Sequence, residues 1–334
     1  MNYALPEARD WVRATLRGYF TALYTPFTPD NQLDEVGLRH NVDATLALPG
    51  VGGLSVNTLH QEFWALTQAE RLRLVEVVLD QVRGRVPVVF GCSDPAPDNV
   101  LMYAQHARAH GADLVMVWPP YYGPRSAAGV RHFYEWLAPR VGIGMVIYST
   151  TLAELGFYLT PDQAQALLPL REICALQSTT LNFASHAAML ERVGAEIAVA
   201  TSLEEYHLFG RLSFPERAPE FLIGSSRPIF CQSAAQPHCG RFRAAVEVGD
   251  FTEAARQVRV ISAIAEKLQS RYFAAGFHHV ALFKSLAGLL GMQTGPFRPA
   301  LAPPDPRELA ECAEVLVQAG ILAGYSPANN SVER

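Results

Sequence analysis

The sequence predicts a (β/α)8 barrel with additional C-terminal helices, and two observations lead there. Short apolar runs recur along the chain, each followed by a stretch of helical periodicity, the pattern of parallel strands joined by crossover helices. Eight such runs can be read, the number that closes a barrel rather than an open doubly wound sheet. Strands are expected at 20–24, 53–57, 86–91, 114–118, 145–149, 173–177, 197–201 and 220–224. Helices are expected near 34–47, 67–83, 96–110, 127–139, 161–169, 181–193 and 203–211.

Local punctuation supports each boundary. Thr67-Gln-Ala-Glu70 is a capping box, in which hydroxyl and carboxylate each satisfy a backbone N–H at a helix start. Thr160-Pro161-Asp162 places proline in a first helical turn, and Gly111-Ala-Asp113 closes a helix just before a strand. Beyond residue 226 the pattern is helical only, at about 241–270, 276–290 and 306–320, broken by Gly295-Pro-Phe297 and Pro303-Pro304. The expected organisation is a helical segment at 1–17, the barrel at 18–226, and helices packed on it at 227–325. Residues 326–334 form a polar tail expected to be disordered.

Composition narrows the function. The chain has 334 residues, of which 49% are hydrophobic and 18% charged, ordinary for an enzyme-sized globule. A net charge of −5 and a pI of about 6.1 give no reason to expect nucleic acid or an anionic membrane surface. No apolar run approaches the length of a membrane span. The opening residues do not read as a signal peptide. Five cysteines, scattered and without CxxC spacing, read as reduced thiols in a cytoplasmic protein. Cys231, His238 and Cys239 lack a fourth partner at zinc spacing, and His278-His279 would diverge on a helix, so no metal is expected. No GxGxxG or Walker sequence calls for a nucleotide, and no cofactor is expected.

Several segments together resemble the dihydrodipicolinate synthase / N-acetylneuraminate lyase family. They are Thr25-Pro26-Phe27 with Asp34, Gly50-Val-Gly-Gly53 through Glu62 and Leu66-Thr67, and Arg85-Val-Pro-Val88 with Gly91. Gly111 through Tyr121-Tyr122, Ile147-Tyr148 and Phe297-Arg298-Pro299 complete the set. The resemblance covers roughly residues 18–320 and implies the barrel, assembled as a homo-oligomer (dimer or tetramer). It also implies a site for a small molecule: a strand-six lysine that forms an imine with a 2-keto acid, and a strand-five tyrosine that moves protons. A loop after strand two binds the carboxylate, and a tyrosine after strand four can reach across a dimer.

Carried over by position, Tyr148 and Tyr122 are kept, but Gln177 stands where the lysine would be. An amide cannot form an iminium. The loop reads Thr58-Leu59-His60-Gln61-Glu62 and keeps only the glutamate of the family's Gly-Thr-Thr-Gly-Glu. Leu59 replaces the threonine of the tyrosine proton relay. The segment Thr150-Thr-Leu-Ala-Glu154 contains no arginine where the synthases carry one.

The candidate catalytic residues are therefore Tyr148, Gln177, Tyr122 and His60. Thr58, Leu59, Glu62, Tyr121, Thr201 and Ser225 are the candidate substrate-binding positions. Tyr148 is an acid/base, or a barrel-mouth tyrosine satisfied by a neighbour. His60, with an ordinary pKa near 6.5, is a replacement acid/base or a structural histidine. Tyr121 and Tyr122 line a pocket or pack in an interface. Glu62 is a base or, more simply, a loop anchor. Arg125 and Arg227 grip an anionic substrate or are surface charge.

Only two of the 27 basic residues are lysines. Lys267 reads as a solvated helix face, and Lys284 is expected to end at a surface or interface. The sequence thus predicts a lyase acting on a small carbonyl or carboxylate compound by non-covalent acid/base chemistry. The alternative is a catalytically silent barrel that binds a metabolite or partner.

Overall fold

The computed structural model describes residues 2–123, 125–151, 157–270, 272, 280–299 and 301–325. All eight expected runs form strands: β1 (Gly18–Ala22), β2 (Val51–Val56), β3 (Val88–Gly91), β4 (Leu114–Val117), β5 (Met145–Thr150), β6 (Ile173–Thr179), β7 (Ala198–Ala200) and β8 (Phe221–Ser225). They form one parallel sheet in the order β7-β6-β5-β4-β3-β2-β1-β8. The Ile223 N–H donates to the Thr201 carbonyl at 3.0 Å, which joins β8 to the end of β7 and closes the ring.

The crossover helices are α2 (Glu35–Leu46), α3 (Gln68–Val82), α4 (Pro97–Ala109), α5 (Ala127–Val141), α6 (Pro161–Ala166), α7 (Phe183–Val193) and α8 (Glu204–Ser213), preceded by α1 (Ala8–Thr15). Their starts follow the residues that predicted them. Thr67 and Glu70 form the expected capping box of α3, and Thr160 with Gln163 forms another at α6.

Helix α1 closes the N-terminal end of the barrel. Its Ala8 and Val12, with Leu16 just after it, join Phe20, Val89, Leu114, Val146, Ala175 and Ile223 in one buried column, which ends at Trp118 and Tyr148. Arg9 satisfies carbonyls at and just before the start of β6 there, donating to Ile173 O at 3.0 Å and Leu170 O at 3.0 Å. One end of the barrel is thus plugged, and among the described residues the column opens at the C-terminal ends of the strands.

The C-terminal helices differ from expectation in one respect. The stretch near 241–270 is two helices, α10 (His238–Glu247) and α11 (Phe251–Ala265), after the short α9 (Arg227–Phe230). Gly249 takes φ +75, and the Asp250 side chain caps α11 by accepting from Glu253 N. Gly-Asp is a stop followed by a start, a signal present in the sequence. A π turn (Glu266–Ser270), α12 (Val280–Leu289) and α13 (Pro306–Gln318) follow. These helices share an apolar cluster with Tyr19, Tyr24, Leu208 and Leu222 of the barrel. None of the described helices is long and apolar enough to cross a membrane. His278, His279 and the tail 326–334 lie outside the described residues.

Candidate active site

A cavity of about 60 Å³ opens at the C-terminal ends of the strands. It is bounded by Ser55 of β2, Thr58, Leu59 and His60 of the following loop, and Tyr148 and Gln177. Trp118, Thr179, Ser202 and Gly224 complete its rim, and Met116 its floor. Tyr148 and Gln177 are direct partners in the β5–β6 ladder, so the pairing inferred from their positions in the sequence is a backbone fact.

Burial raises the Tyr148 phenol above its ordinary value, partly offset by hydrogen bonds from the Thr150 and Thr179 hydroxyls. It stays protonated at neutral pH. These two threonines are neighbours of the phenol that the sequence reading missed. Leu59 indeed removes the loop's hydroxyl, but β5 and β6 supply others. Residues 177 and 179 lie on the same face of a strand, and that spacing was the available signal. Gln177 Nε2 donates to Thr179 Oγ1 at 3.2 Å, which links amide, hydroxyl and phenol.

Gln177 is only 4% exposed, and its Oε1 has no hydrogen-bond partner. Its pose depends on Gly224, which has φ +78. A Cβ at Gly224 would sit 2.5 Å from Gln177 Nε2. Gly224→Ala should therefore cost about 1–2 kcal/mol of stability from the left-handed backbone, read by urea titration. A titration unchanged from the parent would show that position 224 does not hold the left-handed backbone.

An aromatic wall flanks the cavity. Trp118 lies 5.0 Å from Tyr148 and 5.2 Å from Phe63, centroid to centroid. Tyr121 packs on Trp118 at 5.7 Å outside the cavity, and burial pushes its phenol up to about 12. Tyr122 is 81% exposed and does not reach the cavity within a single chain.

His60 lines the cavity but is buried, and burial pushes its pKa down to about 4. The expectation of a value near 6.5 fails because desolvation disfavours imidazolium. The ring is neutral at pH 7 and packs edge-on against Tyr24 at 5.8 Å. Thr201 and Ser225 are buried one position from the rim. Their hydroxyls accept from Leu203 N and Arg227 N, respectively, while the neighbours Ser202 and Gly224 line the cavity.

Two further expectations are corrected. Lys284 does not end at a surface or interface. It is 0% exposed and donates to Glu62 Oε1 at 2.8 Å. Its ammonium lies 4.4 Å from the Phe27 ring centroid. Helix α12 reaches the back of the β2 loop, and Glu62, facing that helix, anchors the loop from behind. Burial lowers the Lys284 pKa, and the Glu62 carboxylate opposes that shift. Arg227 is also not a substrate grip, since it is buried and ion-paired with Glu204 and Glu205. Neither the Lys284–Glu62 pair nor Arg227 lines the cavity.

The loop is pinned from other sides as well. Gln61 Oε1 accepts from Asn57 N at 2.5 Å, and the Gln61 carbonyl accepts from the Thr25 hydroxyl at 2.9 Å. Arg298 donates to Ala65 O at 2.9 Å and to Glu70. The close approach of residues 294–298 to Phe27 requires Gly295, where a Cβ would meet Phe27 O at 1.8 Å.

A plugged barrel with a small, mostly apolar cavity at its strand ends, centred on a buried tyrosine, is the architecture of a barrel enzyme. More specifically, the chain belongs to the dihydrodipicolinate synthetase family, whose profile matches residues 15–319. It is 27% identical over 319 residues to a 4-hydroxy-tetrahydrodipicolinate synthase of Nitrobacter hamburgensis, covering 93% of this chain and 99% of that protein. It is 38% identical over 134 residues to the Methylobacterium radiotolerans protein of the same name, covering 40% of this chain and 44% of that protein. Among solved structures, Thermotoga maritima dihydrodipicolinate synthase superposes with a TM-score of 0.80 at 20% identity, covering 92% of this chain and all of the other. The Escherichia coli K12 prophage protein YagE, crystallised in complex with pyruvate, gives 0.78 at 25% identity over 92% of this chain and 99% of its own.

Proposed function

We propose that this family lyase makes or breaks a C–C or C–O bond of a small carbonyl or carboxylate compound by non-covalent acid/base catalysis, without a lysine imine. The observation that carries the reading is the Tyr148–Gln177 pair in register at the cavity, with an amide in place of an amine. Among the described residues no amine lines the cavity, and Lys284 is engaged by Glu62 on the far side of the loop.

In this reading Tyr148 gives a proton to, or takes one from, the reacting oxygen, with Thr150 and Thr179 holding the phenol. The start of the short helical turn at Leu59 and His60 brings backbone N–H groups to the same rim. A donor aimed at developing negative charge in a dry site contributes roughly 2.7–4 kcal/mol. That is less than the electron sink of an iminium, so the substrate must be readily activated. The neutral His60 ring serves as a hydrogen-bonding wall, and Thr58 and Leu59 position the ligand. The buried free thiols suit a reducing, cytoplasmic compartment. The exposed Tyr122 suits contact with a second copy in a homo-oligomer.

Incubation with pyruvate and borohydride should leave the intact mass unchanged. A stable adduct mapped to Lys284 or Lys267 would overturn the non-covalent reading.

A further inference from the structure

A second cluster of chemically capable side chains lies outside the cavity, where helices α3 and α4 pack side by side. Glu76 of α3 faces His106, in the last turn of α4, and His110, just after it. Four residues of helix separate the two histidines, a spacing that puts both imidazoles on one face. None of the three residues lines the cavity, and the metal readings drawn from the sequence passed over the pair.

Three side-chain atoms converge here. Glu76 Oε1 lies 3.2 Å from His106 Nε2 and 3.9 Å from His110 Nε2, and all three atoms lie within 4.8 Å of one another. A tetrahedral zinc ion with bonds of about 2.0–2.1 Å holds its ligand atoms roughly 3.4 Å apart, so small side-chain movements would seat one.

The hydrogen bonds show what the cluster lacks. His110 Nδ1 lies 2.9 Å from the His106 carbonyl. A carbonyl only accepts, so Nδ1 carries the proton and Nε2 of the neutral ring carries the lone pair. That lone pair shares its space with Glu76 Oε1, itself an acceptor. His106 Nε2 stands between Glu76 Oε1 and the Leu72 carbonyl, 3.3 Å away, with at most one proton for the two. The other carboxylate oxygen, Glu76 Oε2, accepts from Arg73 at 2.9 Å, and Glu35 shares the charge of that arginine. Oε1 is therefore the oxygen left to the imidazoles. A convergence of acceptors is completed by a cation. The bond from Nδ1 to a carbonyl is also the kind that orients a histidine ligand toward a metal. Glu76 and His106 are half-buried and His110 is exposed, so an ion can enter and keep water at its remaining position.

We infer that Glu76, His106 and His110 form a site for one divalent transition-metal ion of the zinc type, which ties α3 to α4. Two imidazoles select such an ion over magnesium or calcium, whose ligands are oxygens. The site is independent of the reaction proposed for the cavity.

Zinc chloride titrated into the chelator-treated full chain, in competition with a chromophoric indicator, should show one ion bound per chain. Magnesium chloride should not displace it. His110→Ala and Glu76→Gln should each weaken binding at least about tenfold, the cost of losing even a hydrogen-bond partner of a ligand. His106→Gln with His110→Gln should abolish it, and His132→Ala, exposed on α5, should leave it unchanged. In the parent chain, with no substitution, zinc should slow amide hydrogen exchange at the facing parts of α3 and α4 but not around the cavity. Three results would overturn the site: no saturable zinc binding, so that a proton on His110 fills the gap instead; binding undiminished in the double variant; or protection confined to other elements.

Discussion

Lys284→Ala should destabilise the protein by about 3–5 kcal/mol. The lysine and Glu62 are both fully buried and 2.8 Å apart, and one carboxylate oxygen, Glu62 Oε2, already lacks a partner. Removing the ammonium leaves a carboxylate in a dry environment with nothing to neutralise it. The cost comes from that stranded charge rather than from the lost attraction. Lys284→Met combined with Glu62→Gln should therefore recover much of the loss, since neither replacement is charged.

Urea unfolding of the parent, single and double variants measures this directly. Lys267→Ala, on an exposed stretch, serves as the control and should stay within about 0.5 kcal/mol of the parent. A Lys284→Ala loss no larger than that of the control would mean the pair does not hold the loop. The consequence for function is local. Glu62 follows immediately on the turn that carries Leu59 and His60, so releasing it frees the wall of the cavity as well as the fold.

Tyr148→Phe should lower turnover by about 10²–10⁴-fold, the usual contribution of one positioned acid/base, while leaving ligand binding nearly intact. The ring would keep its stacking on Trp118, 5.0 Å away, so only the hydroxyl is lost. The pH profile supplies a second readout. Because burial holds the phenol protonated above its ordinary range, a Tyr148 acting as acid should keep its activity through neutral pH. Activity should then be lost only on the alkaline side of the usual tyrosine value near 10. A Tyr148→Phe enzyme with unchanged turnover would remove the tyrosine from the mechanism. Thr179→Val is expected to act more weakly in the same direction, since it perturbs the phenol through a neighbour.

Much of this protein is decided by local pattern. The alternation of apolar runs and helical stretches specifies eight parallel strands, and capping residues such as Thr67 and Thr160 fix where helices start. These signals are legible because they depend on periodicity and short-range hydrogen bonds. The Tyr148–Gln177 pair was legible too, since equal positions on consecutive strands of a barrel become ladder partners.

Other features depend on which distant segments meet. Lys284 is 222 residues from Glu62, and its own helix gives no sign that its amine is buried. His60 reads as an ordinary histidine until burial lowers its pKa. Arg227 reads as a loop cation until Glu204 and Glu205 close on it. Packing likewise left Ser55 and Gln177 of the cavity wall with buried oxygens that no protein group pairs. The physical reason is common to all of them. Desolvation and charge pairing depend on the whole surrounding volume, and that volume exists only once the chain has folded.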